Sequence, residues 1–316
     1  MGSITHRPED VNVAASEFSH LRCQIDARLE QLLPRQADDP VTLAMRDCLL
    51  SGGKRVRPCL LILTARGLGN DSPPLLDLGC AVEMIHSASL ILDDLPCMDD
   101  ASLRRGRPTT HRQYGEDIAM LSMVALLSRA FGLVSEASGL APEICTQMVT
   151  QLSRAVGDQG LVRGQYQDLH ASQQLRSVND VSTTNTLKTG VLFQATLALA
   201  GLAAGANELT ASRLKCFALA FGQAYQLYDD LTDGLAVNGK DVDQDNGKTT
   251  LVALLGEEEV RQRLAGHLAK ADRHLTAVFG ADSSLGRFMH GLFSRFDHEH
   301  GGLLSQRASA FPLSRH

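Results

Sequence analysis

Apolar residues recur along this chain at three- and four-residue steps, the spacing that gathers them on one face of an α-helix. Phe18, Leu21, Ile25, Leu29 and Leu32 predict a helix over Phe18–Leu33 that stops before Pro34, and Val41–Leu50 predicts a second, ended by Ser51, Gly52 and Gly53. The same period predicts helices over Pro58–Ala65, Leu75–Leu92, Asp117–Ala137, Glu143–Val156, Val181–Ala204, Thr210–Leu231, Leu251–Leu255, Glu257–Phe279 and Leu285–Phe296. From Ala81 to Leu92 only Glu83, His86, Ser87 and Ser89 are polar, as expected of a helix buried on most sides. Pro96, which lacks an N–H, should bend or end that helix. Strand-like alternation is absent. The fold class is therefore all-α, a single-domain helical bundle over residues 16–316, with residues 1–15 expected to be a disordered tail and no linker long enough to divide two domains.

Composition adds exclusions. A net charge of −6 over 316 residues gives no reason to expect nucleic acid or an anionic membrane surface as partner. No uninterrupted apolar run reaches the ~18 residues that span a bilayer, and the N-terminus has no signal-peptide core, so a cytoplasmic protein is expected. The seven cysteines are an odd number without CxxC spacing, and most are expected to be small core residues rather than disulfides or zinc ligands.

The chemistry concentrates after the buried helix. Asp93, Asp94, Asp99 and Asp100 crowd into eight residues, and Arg104, Arg105 and Arg107 follow. One acidic pair alone would pass for a solvated turn. Here an apolar helix leads into the carboxylates and arginines follow them. Carboxylate oxygens suit Mg²⁺, which also takes ligands from substrate phosphates, and arginine forks match phosphate oxygens. Asp93 and Asp99 would diverge by ~120° on a straight helix, so the break at Pro96 must bring them to one side. A second acidic site, YQLYDDLTDG, puts Asp229 and Asp233 one turn apart on a helix face, with Lys240 and Lys248 in the polar loop beyond. The segment SGGKRVRP sets Lys54, Arg55 and Arg57 beside paired glycines at a helix start, favourable for anions, although it is no Walker loop. Lys188 lies in an apolar run and needs a partner. His86 shares a helix face with Asp93, two turns back.

These segments carry a resemblance. GGKRVRP, IHSASLILDDLPCMDDASLRRGRPTTH, GLVRGQYQDL, LKTG, FGQAYQLYDDLTD and GKTT occur in the order and at the intervals of the trans-isoprenyl diphosphate synthases, and the chain is most similar to the bacterial geranylgeranyl diphosphate synthases of carotenoid-pathway type. DDLPCMDD is the longer, DDxxxxD form of the first acidic motif. The resemblance implies three Mg²⁺ ions, bound by Asp93, Asp99 and Asp229, with Asp94, Asp230 and Asp233 in support. It implies that Lys54, Arg57, His86 and Arg105 hold isopentenyl diphosphate. Arg104, Lys188 and one or both of Lys240 and Lys248 would hold the allylic diphosphate, while Thr189 and Gln226 line the reacting carbon. A homodimer is implied as well. Met123-Val124 replaces the usual Gly-Asp, a departure that bears on the cavity wall.

The reaction implied is Mg²⁺-dependent head-to-tail condensation, in which an allylic diphosphate ionises and the double bond of isopentenyl diphosphate attacks the cation. Ala88 and Ser89 are small where similar synthases that stop at fifteen carbons carry an aromatic floor, so the expected product is geranylgeranyl diphosphate, with Ala88 deciding and Met84, Ile85 or Met123 as deeper stops. Farnesyl diphosphate synthase is the alternative product reading. A non-catalytic regulatory subunit would typically have lost one acidic motif, a terpene cyclase would usually lack the second acidic pair and the Lys54/Arg57 site, and a di-iron bundle would need paired ExxH motifs.

Overall fold

The computed structural model describes residues 8–34, 38–170, 177–233 and 250–299, with backbone only for 8–16, 233 and 295–299. Fourteen α-helices are present among the described residues. They are α1 (Pro8–Leu32), α2 (Pro40–Leu50), α3 (Val56–Gly67), α4 (Pro74–Asp94), α5 (Thr110–Tyr114), α6 (Glu116–Ser135), α7 (Pro142–Val156), α8 (Leu161–His170), α9 (Val178–Asn185), α10 (Val191–Ala203), α11 (Glu208–Asp233), α12 (Leu251–Leu255), α13 (Glu257–Phe279) and α14 (Ser284–Glu299). The all-α reading holds. α1 starts at Pro8, inside the segment expected to be a tail, and residues 1–7 lie outside the described residues.

Three departures from the expected elements occur. A π-helical turn, Thr186–Gly190, separates α9 from α10 where one continuous helix was expected. A two-strand hairpin pairs β1 (Leu103–Arg104) with β2 (Arg107–Pro108), although no strand was expected. Its two-residue connection has Arg105 at φ 54 and Gly106 at φ 73, the two left-handed residues of a type I′ turn. The short helices α5 and α8 are polar enough to hide their period.

α4 is the axis of the bundle. It packs on α3 and α6, with α1, α2, α5 and α10 around it, and is buried on all sides from Leu78 to Ile85. Beyond that point His86, Ser89 and Asp93, spaced three and four apart, regain exposure. That stripe marks where the bundle opens. On the far side α11 packs against α10 and α13, and an aromatic cluster fills the seam, with Phe193–Phe221 centroids 5.0 Å apart and Phe221–Phe293 6.0 Å apart.

The expectation about apolar runs needs correction. Averaged over a window, three segments are long and apolar enough to cross a membrane: Pro74–Asp94, Glu116–Ser135 and Val178–Ala203. Scattered polar and charged residues, among them Glu83, Arg129 and Lys188, interrupt the runs, but the apolar residues around them keep the average high. The window in α4 is 67 % buried within the protein, whereas that in α6 is only 28 % buried and leaves Met120, Leu121 and Val124 exposed. The cysteine expectation is also only partly met: all seven are free, but Cys59, Cys80 and Cys145 alone are buried, while Cys23, Cys97 and Cys216 are exposed.

Candidate active site

α4 ends at Asp94 because Leu95, ahead of Pro96, is extended (φ −61, ψ 152). The chain then folds back on the helix end. The Asp99 N–H donates to the Asp93 carbonyl at 3.0 Å and the Ala101 N–H to the Asp94 carbonyl at 3.2 Å. The bend thus brings two carboxylates six residues apart to the same helix end. Asp93 is pushed up to about 6, by burial first, with Lys188 opposing and Asp99 adding to the rise. Asp94 plays a different part. Its carboxylate is buried and taken up by Arg104, whose Nε donates at 3.0 Å and whose Nη2 forms a second, shorter bond.

Lys188 has the partner that the sequence demanded. Its Nζ donates to Asp168 of α8 at 2.9 Å, and although burial opposes its charge, Asp93 and then Asp168 more than offset that and hold it above its usual value. Tight backbone contacts fix the turn that carries it. A Cβ on Gly164 would sit 2.6 Å from the Lys188 nitrogen, and one on Gly222 would sit 3.1 Å from Gly190 Cα, so glycines from α8 and α11 grip the π turn from two sides. Thr189 donates to Gln226 Oε1 at 2.8 Å, and Gln226 Nε2 donates to Asp230 at 2.9 Å.

Arg57 is buried at the start of α3, with Cζ 4.4 Å from the Phe193 ring centroid and Nε lacking a protein partner. Burial lowers its pKa, while Tyr225, Glu83 and Asp229 pull the other way. Lys54 lies 5.4 Å over the ring of Tyr228, the residue before Asp229. His86 is driven well below its ordinary value by burial and then by Arg57, Arg105 and Arg104, so it is neutral at physiological pH. Arg105 donates to the Gly52 carbonyl, and its guanidinium lies 3.0 Å from where a Cβ on Gly53 would be. Only glycine fits there.

The described residues therefore bring Asp93, Asp99, Arg104 and Lys188 into mutual electrostatic range, and Arg57 into range of both His86 and Asp229. Asp229 and Asp230 lie on the last turns of α11. Lys240 and Lys248 fall outside the described residues, as does the side chain of Asp233. Ala88 is 1 % exposed, whereas Ser89 lies on the open stripe with its hydroxyl donating to the His86 carbonyl at 2.8 Å. Met123 is half-buried and Val124 is 57 % exposed, so the valine faces outward. Sequence reasoning assigned no role to Asp168, Phe193, Tyr225 or Gln165. Gln165 is buried with both amide atoms lacking a partner. The segment GQYQDL was the available signal for two of them.

The donor set fits Mg²⁺. Asp93 and Asp99 are hard oxygen donors that repel each other without a cation, and no compact group of three His, Cys, Asp or Glu occurs among the described residues. An ion held by one or two carboxylates that completes its shell from substrate matches that arrangement.

The polyprenyl synthetase family profile matches residues 39–278. A geranylgeranyl diphosphate synthase of Pantoea ananas is 49 % identical over 288 residues, spanning 90 % of this chain and 95 % of that one. Among solved structures, an FPP/GFPP synthase from Zymomonas mobilis shares 32 % identity at a TM-score of 0.79, covering 89 % of this chain and 99 % of the other. A geranyltransferase from Helicobacter pylori, complexed with magnesium and isoprenyl diphosphate, shares 27 % identity at a TM-score of 0.79, covering 93 % and 99 %.

Proposed function

The chain belongs to the polyprenyl synthetase family, and from that premise we infer that it works as a geranylgeranyl diphosphate synthase, condensing isopentenyl diphosphate head to tail with dimethylallyl, geranyl and farnesyl diphosphates. The observation that supports this reading is the site's division into two groups: the cations Lys188 and Arg104 beside Asp93, and the cation Arg57 beside the neutral imidazole of His86. One group takes the allylic diphosphate and the other takes isopentenyl diphosphate, with Lys54 and Arg105 completing the second.

Asp93, Asp99 and Asp229 are the residues proposed to hold three Mg²⁺ ions, which supply the positive charge that makes diphosphate a leaving group. Lys188 and Arg104 add fixed charge beside the breaking C–O bond. Thr189 donates its hydroxyl hydrogen bond to Gln226 Oε1, which leaves the lone pairs of the hydroxyl oxygen free to face an adjacent allylic cation. The aromatic seam of Phe193 and Phe221 excludes water that would quench that cation to an alcohol. Attack by the held double bond replaces a bimolecular encounter, and the released diphosphate accepts the last proton.

The working unit is a single helical domain, in the cytoplasm, where seven free cysteines are stable. It is a homodimer, and the exposed apolar stripe of Met120, Leu121 and Val124 on α6 is the surface that a second copy would cover. Small Ala88 and Ser89 favour the twenty-carbon product over farnesyl diphosphate. Incubating the protein with Mg²⁺, isopentenyl diphosphate and each allylic starter in turn tests the assignment. Chromatography should show geranylgeranyl diphosphate, released alcohol-free, from all three. No Mg²⁺-dependent chain growth would refute it.

A further inference from the structure

Arg55 stands between two residues assigned to the substrate, Lys54 and Arg57, yet it points elsewhere. Its backbone is left-handed (φ 49, ψ 38), a strained conformation that a residue with a Cβ keeps only where its surroundings impose it. Its side chain is 1 % exposed and fully engaged. Nε donates to Asp26 of α1 at 2.7 Å, Nη1 to Glu83 of α4 at 2.8 Å, and Nη2 to the Leu49 carbonyl at the end of α2 at 2.7 Å. Burial works against its charge, and Glu83 and Asp26 more than offset that. A buried ion pair is a poor device for stability, because well-packed apolar residues would do as well. What three bonds in three directions add is a fixed position.

The glycine loop is pinned on its other face as well, where Arg105 donates to the Gly52 carbonyl. Glu83 lies one turn before His86 on α4, so the Arg55–Glu83 bond ties the junction of the glycine loop and α3, which bears Lys54 and Arg57, to the helix that bears His86 and Asp93. We propose that Arg55 is a positioning residue: through Glu83, Asp26 and the Leu49 carbonyl it sets the register between Lys54 and Arg57 on one side and His86 on the other, so that they form one diphosphate subsite. Resting on the functional reading above, that subsite is the one for isopentenyl diphosphate. The Asp93–Lys188 side, carried by α4's end and the π turn, does not depend on it.

The test removes both charges together, so that no buried charge is stranded: Arg55→Met with Glu83→Leu, folding checked by circular dichroism and thermal melting. The KM for isopentenyl diphosphate should rise roughly tenfold or more, while the allylic KM and the kcat at saturation change by less than about threefold. Glu83→Gln, which keeps an acceptor for Nη1, should shift the same KM by a smaller factor and serves alone if the double variant does not fold. Arg55→Lys should not rescue, because an ammonium cannot span the three acceptors. A folded variant with an unchanged KM for isopentenyl diphosphate, or with equal losses for both substrates, overturns the proposal. Wild-type protein that condenses neither substrate pair would overturn the functional reading and this inference together, whereas wild-type turnover with an unmoved KM removes this inference alone.

Discussion

Individual side chains divide the site, and substitution should reveal the division. Asp93 and Asp99 come within electrostatic range because the bend after Leu95 returns Asp99 to the helix end. Asp93→Ala or Asp229→Ala should each lower kcat by roughly a thousandfold while the melting temperature stays close to wild type, since each removes a carboxylate proposed to hold an ion that acts mainly in the transition state. Retained turnover, or turnover in excess chelator, would contradict the role given to them. Arg57→Ala should chiefly raise the KM for isopentenyl diphosphate and Lys188→Ala that for the allylic diphosphate, read from two substrate titrations per variant. Lys188 pairs with Asp168 and Asp93, and Arg57 with neither, so the two effects should be separable. Chain length is also a residue question. Ala88 lies five residues before Asp93, ~7.5 Å along the helix, and is 1 % exposed. Ala88→Tyr should place a ring across the elongation path and shift the main product from twenty to fifteen carbons, with the first condensation little changed. A product profile that stays at twenty carbons would move the determinant away from α4.

Elements explain what the sequence could and could not show. α4, α6 and α13 were legible because apolar residues at helical spacing need no knowledge of neighbours. The bend at Pro96 was legible for the same local reason. The π turn was not, since it depends on Gly164 and Gly222 approaching from other helices, and Lys188's partner Asp168 lies a helix away. The hairpin was hidden because its turn places Arg105, rather than glycine or asparagine, at positive φ. The roles expected of Asp93, Lys188 and Arg57 came from motif order, which could not show the contacts each makes, such as Lys188 with Asp168 or Arg57 with the Phe193 ring. Gly164 gives this a test. Gly164→Ala would drive a Cβ to 2.6 Å from the Lys188 nitrogen and 2.8 Å from the Leu187 carbonyl carbon, both backbone, so the π turn must shift. We expect kcat over the allylic KM to fall roughly tenfold or more. Gly266→Ala on α13 meets nothing within 4 Å and should instead stabilise by about 0.5–1 kcal/mol with activity unchanged. If both variants behaved alike, the glycine contact would not be what fixes the turn.

For the whole molecule, the unresolved balance is on α6. Its inner face, Ala119, Ser122, Leu126, Ala130 and Val134, is fully buried against the bundle. Its outer face is apolar where a solvated helix would be charged: Met120, Leu121 and Val124 are 47 %, 54 % and 57 % exposed, at i, i+1 and i+4. Val124, half of the Met123-Val124 departure, thus adds its apolar surface on the outward side. Covering such a stripe is favourable, and a self-complementary pairing of two α6 helices about a twofold axis would cover it in both copies at once. The wild-type protein should therefore sediment as a dimer at micromolar concentration. Leu121→Lys with Val124→Asp places charge in the middle of that seam and should yield monomers, with a melting temperature that no longer rises with protein concentration. Because the first acidic motif extends from α4, which packs along α6, activity should fall with dissociation even though no substrate contact has changed. A wild-type protein that sediments as a fully active monomer, or a double variant that stays dimeric, would place the dimer contact elsewhere or remove it.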